Sequence, residues 1–245
     1  MSRFYIKPEN VNERKIYVDG EEAHHILDVM RLREKDEVSA FDGKGREYRG
    51  IISKISGKSL EINIIDTRTP EQAKNFSITL AQALPRKEKM DYIVEKTAEL
   101  GVTSIIPVIT KRTIVRPDAK KFKSKIDRWG RIAKEAAKQC GRVSLVRIDE
   151  NLDFEEVIRR ADSYDLAIMP STEYTEKRSL KKILENFKGK NILVIIGPEG
   201  GFDTAEVELA RKNNVSLVSL GANTLKCDTA ALAAIAMINY EIAHE

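Results

Sequence analysis

The stretch VIIGPEGGF, residues 194–202, decides how this chain is read. An apolar run ends at Gly197, and the turn Gly197-Pro198-Glu199-Gly200-Gly201 follows at once. Asp203 and Glu206 then have the Asp-x-x-Glu spacing of a capping box ahead of the helical pattern AEVELARKN. Strand, glycine turn and helix form a common frame for a nucleotide site. The turn is neither G-x-G-x-x-G nor G-x-x-x-x-G-K-[ST], and it lacks the lysine that holds a β/γ-phosphate. Pro198 fixes φ, while Gly200 and Gly201 permit backbone shapes and close approaches that a Cβ would block. The Glu199 carboxylate suits a cation, or a donor N–H on a base, better than a phosphate. The alternative is a tight strand-to-helix turn carrying an exposed glutamate.

Outward from this turn, the texture from Phe76 onward alternates. FSITLAQAL, SIIPVIT, YDLAIMP, NILVIIG and VSLVSLG are short apolar runs, and helical patterns begin near Lys89, Lys120, Phe154, Ser179, Asp203 and Asp228. That alternation predicts an α/β domain whose parallel sheet is covered on both faces. Ligands in such sheets gather at the carboxyl ends of the strands. Residues 1–70 read instead as a small β-rich module, with strands in 14–20, 37–43, 46–56 and 59–68 and glycine turns between them. One helix is expected within EEAHHILDVMRL, where Ala23, Ile26, Leu27 and Met30 have helical spacing. The polar segment RTPEQAKN, 68–75, is the linker, so the domains are expected at 1–70 and 73–245.

The whole chain of 245 residues is 42% hydrophobic and 33% charged. No basic-plus-apolar signal segment opens it, and the longest apolar stretch, Ala230 to Ile238, is half a membrane span. Cys140 and Cys227 provide neither a disulfide framework nor metal-ligand spacing, and the adjacent His24 and His25 cannot share a helix face. A cytosolic protein without a metal site is expected. The net charge of +4 is unevenly placed: residues 111–147 hold 13 Lys/Arg against 3 Asp/Glu, so the remainder carries −6. Such concentration points to an anionic partner, nucleic acid first, against the alternative of a solvated helix face. Within it, Ile126, Trp129, Ala133, Ala136 and Cys140 mark a buried stripe.

A second motif, SLGANTLKCDTAALAAIAMI (219–238), carries a strand end at Leu220-Gly221, a short loop and an alanine-rich helix apolar nearly all round. Such a helix is expected to be buried on most sides, within the domain or against a second subunit. Asp228 is the N-cap candidate, and Cys227 is a small packed residue or a thiol activated by Lys226.

GPEGGF, followed by a strand and L-G-x-x-x-L-[RK]-x-[ED]-T-A, resembles the 16S ribosomal RNA uridine N3-methyltransferase family (RsmE-like) of the SPOUT superfamily. The resemblance continues through KMDYIVEKTAELGV (89–102), PVITKRTIV (107–115) and RWGRIAKEAAKQCGR (128–142). HHILDVMRLREKDEV (24–38) resembles the family's PUA-like RNA-binding part. The implied fold is a small N-terminal PUA-like β-barrel followed by a SPOUT α/β domain with a C-terminal trefoil knot. The implied cofactor is S-adenosyl-L-methionine, and the implied partners are the ribosomal RNA of the small subunit and a second copy of the chain. The implied cofactor loops are the segment after Met169-Pro170, the turn with Gly197, Pro198, Gly200 and Gly201, and Leu220, Gly221, Leu225 and Thr229. The helix 229–242 would form the homodimer. Where the family has Arg and Glu in the last motif, this chain has Lys226 and Asp228.

Uridine N3 becomes a nucleophile as its proton leaves, so the reaction calls for a base or for stabilisation of the anion spread onto O2 and O4. Glu199 is the candidate base, a structural turn glutamate being the alternative. Arg86, Arg112, Arg116 and Lys226 are candidate cationic stabilisers. Arg31, Arg33, Arg86, Arg116, Lys123 and Arg128 are candidate RNA contacts, with Arg131, Lys138, Gln139 and Arg142 further along the basic helix. Three other readings remain: a SPOUT enzyme with another RNA target, a non-catalytic ribosome-assembly factor, and an NAD(P)-dependent or phosphoryl-transfer enzyme. The missing fingerprints disfavour the last.

Overall fold

The computed structural model describes residues 3–70, 76–171, 178–185 and 187–242. The chain divides into two compact units, Met1–Gln72 with Ala137–Leu145, and Ala73–Ala136 with Val146–Glu245. Residues 71–75 of the expected linker lie outside the described residues.

The first unit is built on a five-stranded sheet. Its strands are β1 (Arg3–Tyr5), β2 (Lys15–Val18), β3 (Glu37–Phe41), β4 (Glu47–Ser56) and β5 (Ser59–Arg68), in the order β1-β3-β4-β5-β2. The four strands expected here are present; β1, three residues long, is too short to announce itself by alternation. Phe4, Ile16, Val38, Ile52, Leu60 and Ile62 form the core on the inner face. The expected helix is α1 (Gly20–His24), which widens at His25–Val29 into a π-turn. Ala23, Ile26 and Leu27 are buried as the spacing requires, but Met30, at the end of that turn, is 41% exposed. Arg3 ties down residues 137–142: its guanidinium donates to the carbonyls of Ala137 (3.3 Å) and Arg142 (2.9 Å) and lies over the Phe41 ring. A cation there complements the carbonyl end of a helix.

The second unit holds an eight-stranded sheet, all of whose pairings are parallel. The strands are β6 (Ser77–Ala83), β7 (Ser104–Ile109), β8 (Arg147–Ile148), β9 (Leu152–Asp153), β10 (Leu166–Pro170), β11 (Arg178–Ser179), β12 (Asn191–Ile196) and β13 (Ser216–Ser219). Their order is β11-β13-β10-β12-β6-β7-β8, with β9 also on β7. The helices are α2 (Lys89–Glu99), α3 (Ala119–Cys140), α4 (Phe154–Arg160), α5 (Leu180–Leu184), α6 (Thr204–Lys212) and α7 (Cys227–Ile242). Alternate residues of β12 show why its apolar run is unbroken. Ile192, Val194 and Ile196 join a core with residues of α2, α3 and α7, whereas Leu193 and Ile195 join one with residues of α4 and α6. Both faces are covered, so both registers of the strand are apolar.

Helix α3 follows the expected stripe at Trp129, Ala133 and Ala136, which are buried; Ile126 is half-buried and Cys140 is exposed. The stripe runs out because the last turn belongs to the first unit. Trp129 packs edge-on to Phe122, with ring centroids 5.9 Å apart, and its Nε1 donates to Asp91 at 3.1 Å. At 2% exposure its faces are closed to a stacking base.

Helix α7 buries Cys227, Ala231, Ala234, Ile235 and Ile238, while Met237 and Tyr240 are exposed. Asp228 is not its N-cap but stands in its first turn. The capping box at Asp203 and Glu206 is formed as the spacing requires. No helix among the described residues is long and apolar enough to cross a membrane.

Candidate functional site

β13, β10 and β12 are parallel neighbours, and the loops leaving their carboxyl ends surround one cavity of ≈ 500 Å³. Its lining includes Pro170 and Ser171 after β10, Gly197 to Phe202 after β12, and Leu220 to Cys227 after β13. Of the residues singled out in the sequence, Pro170, Gly197, Pro198, Glu199, Gly200, Gly201, Leu220, Gly221, Leu225 and Lys226 meet here. Met169 does not: alternation along β10 places it on the sheet face covered by α4 and α6, where it is fully buried. Thr229 stands on α7 in a shallow surface depression with Tyr92, Leu232 and Ala236, outside the cavity lining. Residues 172–177, the rest of the loop after Pro170, lie outside the described residues.

Two glycines shape these loops. Gly201 has φ +69° and its N–H closes the turn on the Pro198 carbonyl at 2.9 Å. Gly221 has φ +134°, and the Ser219 hydroxyl donates to its carbonyl at 3.0 Å. Both conformations exclude most L side chains. Four glycines line the cavity, Gly197, Gly200, Gly201 and Gly221, and without side chains they leave their main-chain groups open to a ligand.

The Glu199 carboxylate is already engaged. It accepts the Arg86 N–H at 3.1 Å, and the Lys89 ammonium lies 3.2 Å from the same Oε1. Burial works to raise its pKa, but hydrogen bonds from its own N–H, from Lys89 and from the Arg86 N–H together hold it below the ordinary glutamate value. The cation this carboxylate meets is thus Lys89, and a carboxylate held ionised is a weak base. Its contribution is present above the ordinary value of 4.5 and is lost as pH falls through its lower folded value. Ligand affinity at this cavity is expected to hold steady on acidification down to that region. Calorimetric titrations at stepped pH would test this, and a break near neutrality would assign the control to another group.

The neighbouring segment braces the same turn. Arg112 Nη1 donates to the Gly200 carbonyl at 2.8 Å, and Lys111 pairs with Asp203 at 2.8 Å. The Lys111 N–H donates to Oε1 of buried Glu206 at 2.8 Å, while Oε2 accepts from the Asp203 N–H. Arg112 is a strut on the turn, whereas Lys226 is an exposed cation on the cavity lining. Cys227 is packed, and burial pushes its thiol pKa up, so the activated-thiol alternative fails.

Of the basic residues in the second unit, Arg86, Arg116, Lys123, Arg128 and Arg131 are exposed. Arg128 pairs with Asp91. In the first unit Arg31, Arg33 and Gln139 are exposed. Lys138 is a correction: Glu22 holds its ammonium at 3.2 Å, and only 9% of its side chain is accessible. Arg142 is half-buried, donates to Ser144 Oγ at 3.2 Å, and has its pKa pulled down by burial. Among the described residues no group of three or more His, Cys, Asp and Glu is placed to hold a metal. Sequence reasoning gave Lys89 no role: it lies in a quoted motif, but its two acidic partners are more than a hundred residues away in the chain.

Residues 72–239 match the family model of an RNA methyltransferase domain. The chain belongs to this RNA methyltransferase family. Residues 18–65 match an RNA methyltransferase PUA domain, as the N-terminal resemblance implied. The methyltransferase chain is similar to ribosomal RNA small subunit methyltransferase E of Bacillus subtilis (strain 168), at 30% identity over 98% of this chain and 97% of that protein. Among solved structures, it is similar to a putative methyltransferase from Legionella pneumophila in complex with SAM, with a TM-score of 0.88 and 26% identity, covering 98% of this chain and 97% of that one. It is also similar to ribosomal RNA small subunit methyltransferase E from Neisseria gonorrhoeae bound to S-adenosyl methionine, with a TM-score of 0.85 and 28% identity, over 98% and 97% of the two chains.

Proposed function

We propose that this protein transfers the methyl group of S-adenosylmethionine to N3 of a uridine in the RNA of the small ribosomal subunit. The observation that carries the reading is the cavity at the ends of β10, β12 and β13, within a domain matched to RNA methyltransferases. The cavity suits the donor: ≈ 500 Å³ is within the ordinary range for a small-molecule site, and its glycine-rich walls leave main-chain groups for an adenosine and an amino acid. Pro170, the 197–201 turn and the 220–225 loop would hold it. Bound there, the donor would supply an electrophilic methyl on a sulfonium.

The chain's own contribution is then placement and charge. Glu199 and Arg112 brace the donor turn rather than exchange protons with substrate. The uridine N3 proton passes to solvent water rather than to Glu199, and the anion left on O2 and O4 is stabilised by cations, Lys226 among them on the described cavity lining. Arg116, Lys123, Arg128 and Arg131 in one unit, and Arg31 and Arg33 in the other, supply phosphate contacts. These give affinity, and the folded subunit supplies selection through shape. The enzyme accordingly works in the cytoplasm. The domains divide near residues 70–73, with Ala137–Leu145 grouped with the first.

Two further features of the family belong to this reading. β10 and β11 are consecutive strands yet flank β13 on opposite sides, which supports threading of the chain beyond β13 into a trefoil knot. An experimental chain trace without threading would remove that feature. The apolar outer face of α7, with Met237 and Tyr240, supports a homodimer. Sedimentation showing only monomer at micromolar concentration would count against it.

The function itself is tested with labelled S-adenosylmethionine and purified small subunits that lack the modification. Label entering their RNA is the expected result. Label entering transfer RNA instead would redirect the substrate, and no label in any RNA would refute the reading.

A further inference from the structure

The Lys89 ammonium opens α2 and lies between two carboxylates distant in sequence. Glu199 Oε1 is 3.2 Å away and Asp228 Oδ1 is 3.8 Å away. Glu199 belongs to the turn after β12, and Asp228 to the first turn of α7, immediately after the loop that leaves β13. Lys89 is not among the residues lining the cavity, whereas Glu199, Lys226 and Cys227 are. All three charged side chains are about 70% covered, with 32%, 28% and 24% of the side chain accessible for Lys89, Glu199 and Asp228. The Arg86 N–H, three residues before Lys89, donates to the same Glu199 carboxylate. The segment 86–89 therefore grips the turn at two points and the start of α7 at a third.

We propose that Lys89 is a positioning residue that locks the Gly197–Gly201 turn to the entry of α7, so that two walls of the donor cavity hold one geometry. The inference rests on the donor reading above and adds a residue outside the cavity on which that site depends. With both acids ionised, the ammonium offsets their mutual repulsion. Without it, Glu199 and Asp228 stand as two carboxylates whose only shared cation is gone among the ion pairs of the described residues. The turn and the helix start are then free to separate. Such a loss raises the cost of ordering the cavity when the donor binds. A compact ammonium on a long stem can reach two acids at once, and an arginine there keeps the charge with a wider fork.

The test is calorimetric titration of the full-length protein with S-adenosylmethionine, and separately with S-adenosylhomocysteine, for wild type, Lys89→Met, Lys89→Arg and Glu199→Gln. Lys89→Met is expected to weaken donor affinity by about fivefold to tenfold, as for coupled neighbours in one network. Lys89→Arg should restore most of it. Glu199→Gln added to Lys89→Met should cost much less than it does in wild type, because the pair is already broken. Thermal unfolding is measured alongside. A Lys89→Met variant that melts earlier but binds both ligands as wild type does would overturn the proposal. So would one whose only defect is a raised KM for RNA, which would make Lys89 an RNA contact. If Lys89→Met does not fold, Asp228→Asn reads the second arm: weaker donor binding is expected, and unchanged binding overturns the tether. A wild type that binds neither ligand would overturn the donor reading and the tether with it, whereas failure of the variants alone overturns only the tether.

Discussion

Trp129→Ala is expected to lower the unfolding free energy by about 3–5 kcal/mol, the cost of truncating a large buried aromatic. The indole is 2% exposed and sits in the core that α2, α3 and α7 share with the sheet. Removing it takes away the edge-on contact with Phe122 and leaves Asp91 without its indole donor. Asp91 keeps Arg128, so the acid is not stranded, and the loss is mainly one of packing. Trp129 is the chain's one tryptophan, so urea unfolding is followed by circular dichroism rather than fluorescence. With two compact units, the transition assigned to the second is the one to compare. A loss below about 0.5 kcal/mol, the scale of surface changes, together with weaker RNA binding, would instead make Trp129 a stacking surface.

Gly221→Val is expected to weaken donor binding by at least about tenfold while leaving the protein folded. A Cβ at this position meets nothing within 4 Å, so the obstacle is not space. It is the backbone: φ +134° is a region a β-branched residue avoids, at a cost of about 1–3 kcal/mol. The loop is exposed, and the chain can escape that cost by moving Leu220 to Leu225. That movement redraws one wall of the cavity, so affinity for S-adenosylmethionine should fall by at least about tenfold, or 1.4 kcal/mol. The melting temperature should change little. Unchanged affinity would show that the 220–225 loop does not hold the donor.

The difference between these two positions reflects what sequence pattern can convey. Trp129, Ala133 and Ala136 repeat at helical spacing, and periodicity reports a buried face directly. The same logic exposed the parallel sheet, because strands covered on both sides are apolar at every position. It failed at Cys140, where the helix continues but its surroundings change. The glycine turn and the 220–225 loop were legible as motifs because a tight turn needs particular residue types. The contacts around them were not, since they join residues distant in sequence. Glu199 read alone is a free carboxylate; beside the Arg86 N–H and Lys89 it is a bound one. Lys138 read alone is one more cation on a basic helix; beside Glu22 it is spent. Charge counts place a basic region on a chain, but only the fold shows which charges are already paired.

The most direct measurement is the identity of the methylated nucleoside. Small subunits lacking the modification are incubated with the protein and S-adenosylmethionine, and their RNA is digested and resolved by mass spectrometry. The expected product is 3-methyluridine at a single site. A ribose-methylated nucleoside, or a methyl on another base, would contradict transfer to uridine N3.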